Sequence, residues 1–168
     1  MSYKKKDVED LVKILGDDGA NKREIAAVAL IKIGKTSLVP LSNALKDRNT
    51  RVRQMAAVVL REIADNRKVT DTRVVESLIQ ALNDKDSGVL GTATEALINI
   101  GKSAVQPLIE ALKNKNKNVR LMAVVALAKI GDKSAIAPLT QALQDKDKKI
   151  RVAAEKALDT IHTKDILS

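Results

Sequence analysis

Cysteine, tryptophan and phenylalanine are absent from this chain of 168 residues, and tyrosine and histidine occur once each. Without cysteine there is no disulfide framework, no thiolate metal site and no thiol catalysis; the absence also fits a reducing compartment. The shortage of aromatic rings removes any platform on which nucleobases could stack. No apolar run approaches the roughly 20 residues needed to span a bilayer. The start, MSYKKKDVEDL, lacks the apolar segment of a signal peptide. A cytoplasmic protein without membrane contact is therefore expected.

What is present is a folded-protein composition with an excess of positive charge. The chain is 45% hydrophobic and 30% charged, which separates it from disordered sequences. Thirty Lys and Arg against 21 Asp and Glu leave a net charge of +9 and a pI near 9.8. Such an excess favours anionic partners in general and selects none of them.

Self-similarity organises everything else. Leu15, Leu45, Leu82, Leu112 and Leu143 each lie 18 residues before Ile33, Ile63, Ile100, Ile130 and Ile161, and the steps between units are 30, 37, 30 and 31 residues. Each of the five units is thus rigid in length, and the variation falls in the connections, mostly in DNRKVTDT, residues 65–72. Within a unit two stretches carry apolar residues at helical spacing, as in Val105, Leu108, Ile109 and Leu112, then Ala123, Leu127 and Ile130. A polar turn such as KNKNKN parts them. Thr36, Ser103 and Ser134 stand where an N-cap is wanted, with Pro40, Pro107 and Pro138 following within the first turn. Gly34, Gly101 and Gly131 stand where a left-handed residue would end the second helix. A lone hairpin cannot bury its apolar face, but a stack of them makes one continuous core.

The pattern PLIEALKNKNKNVRLMAVVALAKIG, residues 107–131, resembles HEAT-like repeats of the short, PBS-lyase type, and the resemblance covers nearly the whole chain from Val8 to Ile161. It implies an all-α, right-handed α-solenoid of five helical hairpins, one domain over residues 1–168, with repeats at about 8–35, 36–66, 73–102, 103–132 and 134–162. Enzymatic relatives can be tested residue by residue. A hydroxylase-like member needs His-Glu pairs for two irons, and here His162 is the sole histidine, followed by Thr163. Glycosylase-like members use aromatic side chains near the lesion, and this chain has neither Trp nor Phe. An auxiliary subunit of a bilin-lyase-like enzyme is a further implied possibility, although no chromophore site is marked. No catalytic, metal or cofactor site is expected.

Several residues still invite a functional reading. His162 replaces the terminating glycine of the other units, at the expected carboxyl end of the last helix, and is read as a cap rather than a general base. GVLGTAT, residues 88–94, lacks the strand and lysine of a phosphate loop. It is instead the start of the second helix of repeat three, where Gly88, Gly91, Thr92 and Thr94 lower helix propensity and make this the softest unit. Arg23, Arg53, Arg120 and Arg151 share one slot. They are read as a ladder to turn carboxylates such as Asp47, Asp84 and Asp145; the alternative, an anion-binding stripe, is interrupted by Leu90. Lys113, Lys115, Lys117, Lys146, Lys148 and Lys149 crowd one edge of the last two units. Any nucleic-acid binding there would be directed at the backbone and sensitive to salt.

The second helices are apolar nearly all round. In VRQMAAVVLREI, residues 52–63, the register assigns Ala56, Val59, Leu60 and Ile63 to the core, leaving Gln54, Met55, Val58 and Glu62 on the opposite face. The family resemblance makes that face concave. Its apolar members across the repeats are Ile25, Val28, Met55, Val58, Leu121, Met122, Val125 and Val152, the candidate partner-binding residues. Exposed apolar strips mark binding surfaces, and Met adapts to varied shapes. The expected partner is a protein or peptide, or a second copy of the chain; a nucleic acid or anionic surface bound through the lysines is the second reading.

Overall fold

A computed structural model describes residues 5–66 and 71–167; Arg67, Lys68, Val69 and Thr70, the centre of the 65–72 insertion, lie outside the described residues. The described chain forms ten α-helices: α1 (Lys5–Ile14), α2 (Ala20–Ile33), α3 (Leu38–Ala44), α4 (Thr50–Asn66), α5 (Thr72–Ala81), α6 (Ser87–Ile100), α7 (Lys102–Ala111), α8 (Lys117–Ile130), α9 (Ile136–Ala142) and α10 (Lys148–Leu167). Odd and even helices pair as five hairpins, and each hairpin stacks on the next, giving two helical layers. This is the α-solenoid that the repeat pattern requires.

The core lies between the layers. Ala56, Val59, Leu60 and Ile63 are buried, as are Leu97, Leu108, Leu127 and Leu139 at repeating positions. Burying a Leu or Ile side chain of this kind contributes about 1.5–3 kcal/mol each, and the repeat spreads that contribution along the whole stack. The approach of neighbouring second helices is uneven: the backbones of α4 and α6, and of α8 and α10, lie close more extensively than those of α6 and α8 or of α2 and α4.

Helix boundaries depart from the sequence expectation in an instructive way. The Thr and Ser positions do not cap the first helices. Thr36 lies inside a 3-10 turn over Gly34–Ser37, and Ser103 lies inside α7, whose N-cap Gly101 makes no side-chain bond. Ser134 lies within a second 3-10 turn, Lys133–Ala135, where Asp132 supplies the cap and accepts from Ser134. The three prolines behave unequally for the same reason. Pro40 and Pro138 fall in the first turn of α3 and α9, which begin after a 3-10 turn, while in repeat four the α-helix starts earlier and encloses Pro107.

Glycine closes the second helices, in the expected left-handed conformation at Gly131 (ψ 19°) and at Gly34 and Gly101 in another positive-φ conformation, with ψ of −118° and −129°. Gly34, Gly101 and Gly131 have φ of 69°, 66° and 78°, which glycine adopts freely and an L side chain does not; the left-handed geometry of Gly131 costs an L residue about 1–2 kcal/mol. Gly34 also answers a question of length. By composition Ala20–Ala44 is long and apolar enough to cross a membrane, with a mean hydropathy of 1.5 over its best window, contrary to the expectation of no such run. In the fold, α2 ends at Gly34, a 3-10 turn follows, and α3 starts a new hairpin of the stack.

Candidate partner-binding face

The turns between paired helices are built by Asp and Asn two residues apart. Asp47 accepts from the backbone N–H of Asn49 at 2.7 Å and Asn49 from that of Arg51 at 2.9 Å. Asp84 and Asp86, Asn114 and Asn116, and Asp145 and Asp147 repeat this geometry, the second residue of each pair satisfying an otherwise unpaired N–H of the next helix. Asp17 closes the first turn likewise, accepting from Gly19 N–H at 2.8 Å. These short acceptors set where the arginines go.

Each arginine of the shared slot donates through Nη1 to its own turn: Arg23 to the carbonyls of Asp17 and Asp18, Arg53 to those of Asp47 and Arg48, Arg120 to those of Asn114 and Lys115, and Arg151 to those of Asp145 and Lys146. Two of them also reach the following repeat with a two-pronged grip. Arg53 Nε and Nη2 donate to Asp84 at 2.7 and 3.1 Å, and Arg120 Nε and Nη2 to Asp145 at 2.7 and 3.0 Å. These pairs hold repeat two to three and four to five. Where Leu90 removes the arginine, the matching turn residue is Asn114 rather than Asp. Donor and acceptor are lost together, so no carboxylate is stranded. The junction carries an amide pair instead, Asn116 Nδ2 to Asn83 Oδ1 at 2.6 Å.

Carboxyl protonation follows from this geometry. The Arg120 guanidinium beside Asp145 holds its carboxyl below the usual range against the opposing effect of burial. At Asp84 burial pushes up, but Arg53 and the Asp86 N–H together outweigh it and the net direction is down. Asp86 is lowered by Gln54, which donates to it at 3.0 Å, and by the Val89 N–H. Arg53 and Arg120 are committed to structure, which decides for the ladder over a phosphate stripe.

The strip residues divide by position in the stack. Ile25 is 69% exposed, Val28 44% and Val152 40%, so both terminal second helices present bare apolar groups. Met55, Val58, Leu121, Met122 and Val125 are half-buried, and Met55, Leu121 and Met122 pack against the core. The neighbouring layer covers part of each interior residue. A helix at the end of the stack lacks one neighbour.

The lysines do not form one site. Lys113 lines a groove between α7 and α9 with Ile109, Leu112, Pro138 and Gln141. Lys115 is exposed in the turn, and Lys117 stands 3.9 Å from Asp147 across the next junction. Lys146, Lys148 and Lys149 instead line an open depression of about 760 Å³ with Lys156, Asp147, Val152 and Ala153. The spacing 149, 152, 153 and 156 is one face of α10, so the apolar strip runs into a basic rim. Sequence reasoning treated strip and lysines as rivals; the helical register of Lys149 and Lys156 was the signal joining them. His162 is exposed within α10, which continues to Leu167, so it does not cap that helix. Among the described residues no cluster of three or more His, Asp or Glu is placed to hold a metal.

A match to the family of HEAT repeats covers residues 8–97 and 75–159. Among curated proteins none matches the chain significantly. Of solved structures, an engineered protein is similar at 28% identity, over 93% of this chain and 81% of its own, with a TM-score of 0.54. The complex of CpcE and CpcF of phycocyanin lyase from Nostoc sp. PCC7120 is similar at 22% identity, over 89% of this chain and 96% of that one, with a TM-score of 0.56. A designed armadillo repeat protein is similar at 21% identity, over 92% of this chain and 82% of its own, with a TM-score of 0.51. The last two likenesses concern the fold. With the matched segments spanning the stacked hairpins from Val8 to Asp159, the chain belongs to the HEAT-repeat family.

Proposed function

We propose that this chain is a non-enzymatic cytoplasmic scaffold whose second-helix face, concave by family resemblance, binds a segment of a partner protein carrying apolar anchors beside acidic residues. The observation that carries this reading is the meeting of Val152 and Ala153 with Lys146, Lys148, Lys149 and Lys156 in one depression. Apolar contact supplies affinity there, and the lysines select the sign of the flanking charge. Leu121, Met122 and Val125 continue the apolar surface from the neighbouring helix. A designed armadillo repeat protein of similar fold is bound to the peptide (KR)4; a basic peptide of that kind is repelled by the rim seen here.

The test is fluorescence anisotropy with an acidic amphipathic helical peptide, the same peptide with its acids replaced by lysines, and a single-stranded oligonucleotide. Val152→Asp and Lys149→Glu alter exposed positions and spare the core, which Met55→Asp and Met122→Asp do not. The reading expects the acidic peptide alone to bind, and each variant to weaken it about tenfold or more, the effect of some 1.4 kcal/mol. Binding of the oligonucleotide that salt removes, lost in Lys149→Glu but kept in Val152→Asp, supports the electrostatic alternative and ends the groove proposal.

A further inference from the structure

We infer that the junction between repeats three and four is a hinge, left free by a missing ion pair, that sets the spacing of the apolar strip on either side of it. The grips of Arg53 on Asp84 and of Arg120 on Asp145 clamp the two flanking junctions. Their side chains are largely withdrawn from water, at 16% and 10% exposure in the first pair and 7% and 12% in the second. A two-pronged pair of this kind fixes the relative orientation of its partners as well as their distance. Between repeats three and four the same slots hold Leu90 and Asn114. The junction carries instead the exposed amide pair of Asn116 and Asn83, whose single bond leaves rotation open.

Packing weakens at the same place. The helices α6 and α8 approach each other less extensively than α4 and α6 or α8 and α10. On α6, Thr94 is buried in the slot that Ala57 and Val124 hold in the neighbouring repeats, and its hydroxyl donates back to the Leu90 carbonyl at 2.9 Å. Such a bond bends a helix and slightly destabilises it. Gly91 stands in the same helix with open space around it, since an added Cβ would meet nothing within 4 Å. No close approach demands glycine there, and its effect is to make α6 easier to deform.

The junction of repeats one and two lacks the grip as well. Arg23 donates to the carbonyls of its own turn, and Arg51 meets the fully exposed Asp18 at 2.8 Å. Grip and gap thus alternate along the stack, so repeats two and three form one stiff pair and repeats four and five another. Met55 and Val58 lie on the first pair, and Leu121, Met122, Val125 and Val152 on the second. Rotation at the hinge changes the distance between these two apolar surfaces, and a segment that touches both holds the hinge at one angle. That consequence rests on the partner reading above, whereas the hinge itself does not.

The chain has no cysteine, so introduced cysteines are its only labelling sites. Arg48, Lys85, Lys115 and Lys146 occupy the same exposed turn position in successive repeats. Spin labels on Arg48→Cys with Lys85→Cys, on Lys85→Cys with Lys115→Cys, and on Lys115→Cys with Lys146→Cys therefore span three successive junctions in equal geometry. Dipolar electron paramagnetic resonance should give the broadest distance distribution for the middle pair. Leu90→Arg/Asn114→Asp, which copies the grip, should narrow that distribution to the width of its neighbours. Arg120→Leu/Asp145→Asn, which removes a grip without stranding a charge, should broaden the last pair to the width of the middle one. Circular dichroism establishes that each labelled chain is folded. A middle pair no broader than its neighbours in the otherwise unaltered chain overturns the inference, whatever the variants do. So does a last pair whose width is indifferent to loss of the Arg120 grip. No peptide enters the measurement, so its failure leaves the partner reading standing, and failure of peptide binding leaves the hinge.

Discussion

Replacing Arg120 by leucine tests how the repeats are joined. Arg120 and Asp145 are 7% and 12% exposed at the side chain, so they lie well out of water but at a repeat junction rather than in the deep core. Losing one partner of a buried pair costs about 3–5 kcal/mol and losing an exposed pair about 0–1. Position at the junction favours a value of about 2–3 kcal/mol for Arg120→Leu, which strands Asp145 and frees the carbonyls of Asn114 and Lys115. The molecule has already written the compensated alternative at its third junction, where Leu90 and Asn114 occupy the slots of the arginine and the aspartate. Arg120→Leu with Asp145→Asn copies it and should lie within about 1 kcal/mol of wild type, a coupling of about 2 kcal/mol. Thermal unfolding followed by circular dichroism resolves the difference, since about 1 kcal/mol corresponds to roughly 2–4 °C in a chain of this size. A single variant as stable as wild type, or a double variant no better than the single, refutes the reasoning.

Acidity gives a second check on the same pair. Asp145 is lowered by Arg120, so its contribution is complete above the unfolded carboxyl value of about 3.9 and disappears as pH falls through the folded value; urea midpoints should therefore fall more steeply below about pH 4 in wild type than in Arg120→Leu/Asp145→Asn. Gly91→Ala should stabilise by about 0.5–1 kcal/mol, because an added Cβ meets nothing within 4 Å in a helix interior. Gly88→Ala should gain less, its Cβ standing 3.0 Å from the capping oxygen of Asp86; the two denaturation curves compared side by side decide it. Gly131→Ala should cost about 1–2 kcal/mol through its left-handed φ of 78° and ψ of 19°, seen as a lowered midpoint without loss of helix content.

Sequence alone determined the hairpin count, the register of core residues such as Leu60, Leu97 and Leu127, and the glycine stops, because helical periodicity and backbone sterics act over a few residues and repeat in register. It also singled out the apolar positions Ile25, Met55, Met122 and Val152. Tertiary structure decided what each of them is. Met55 and Met122 lie half-covered because a second helix stands on each side, whereas Ile25 and Val152 are bare because one side is missing. The same non-local logic commits Arg53 to Asp84, 31 residues away, and it splits the lysines between two helical layers. It also leaves the helices after Thr36 and Gly101 without a capping side chain and gives the role expected of Ser134 to Asp132. Spacing along a chain fixes which residues share a helix face, and only the stacking of one repeat on the next fixes what that face meets.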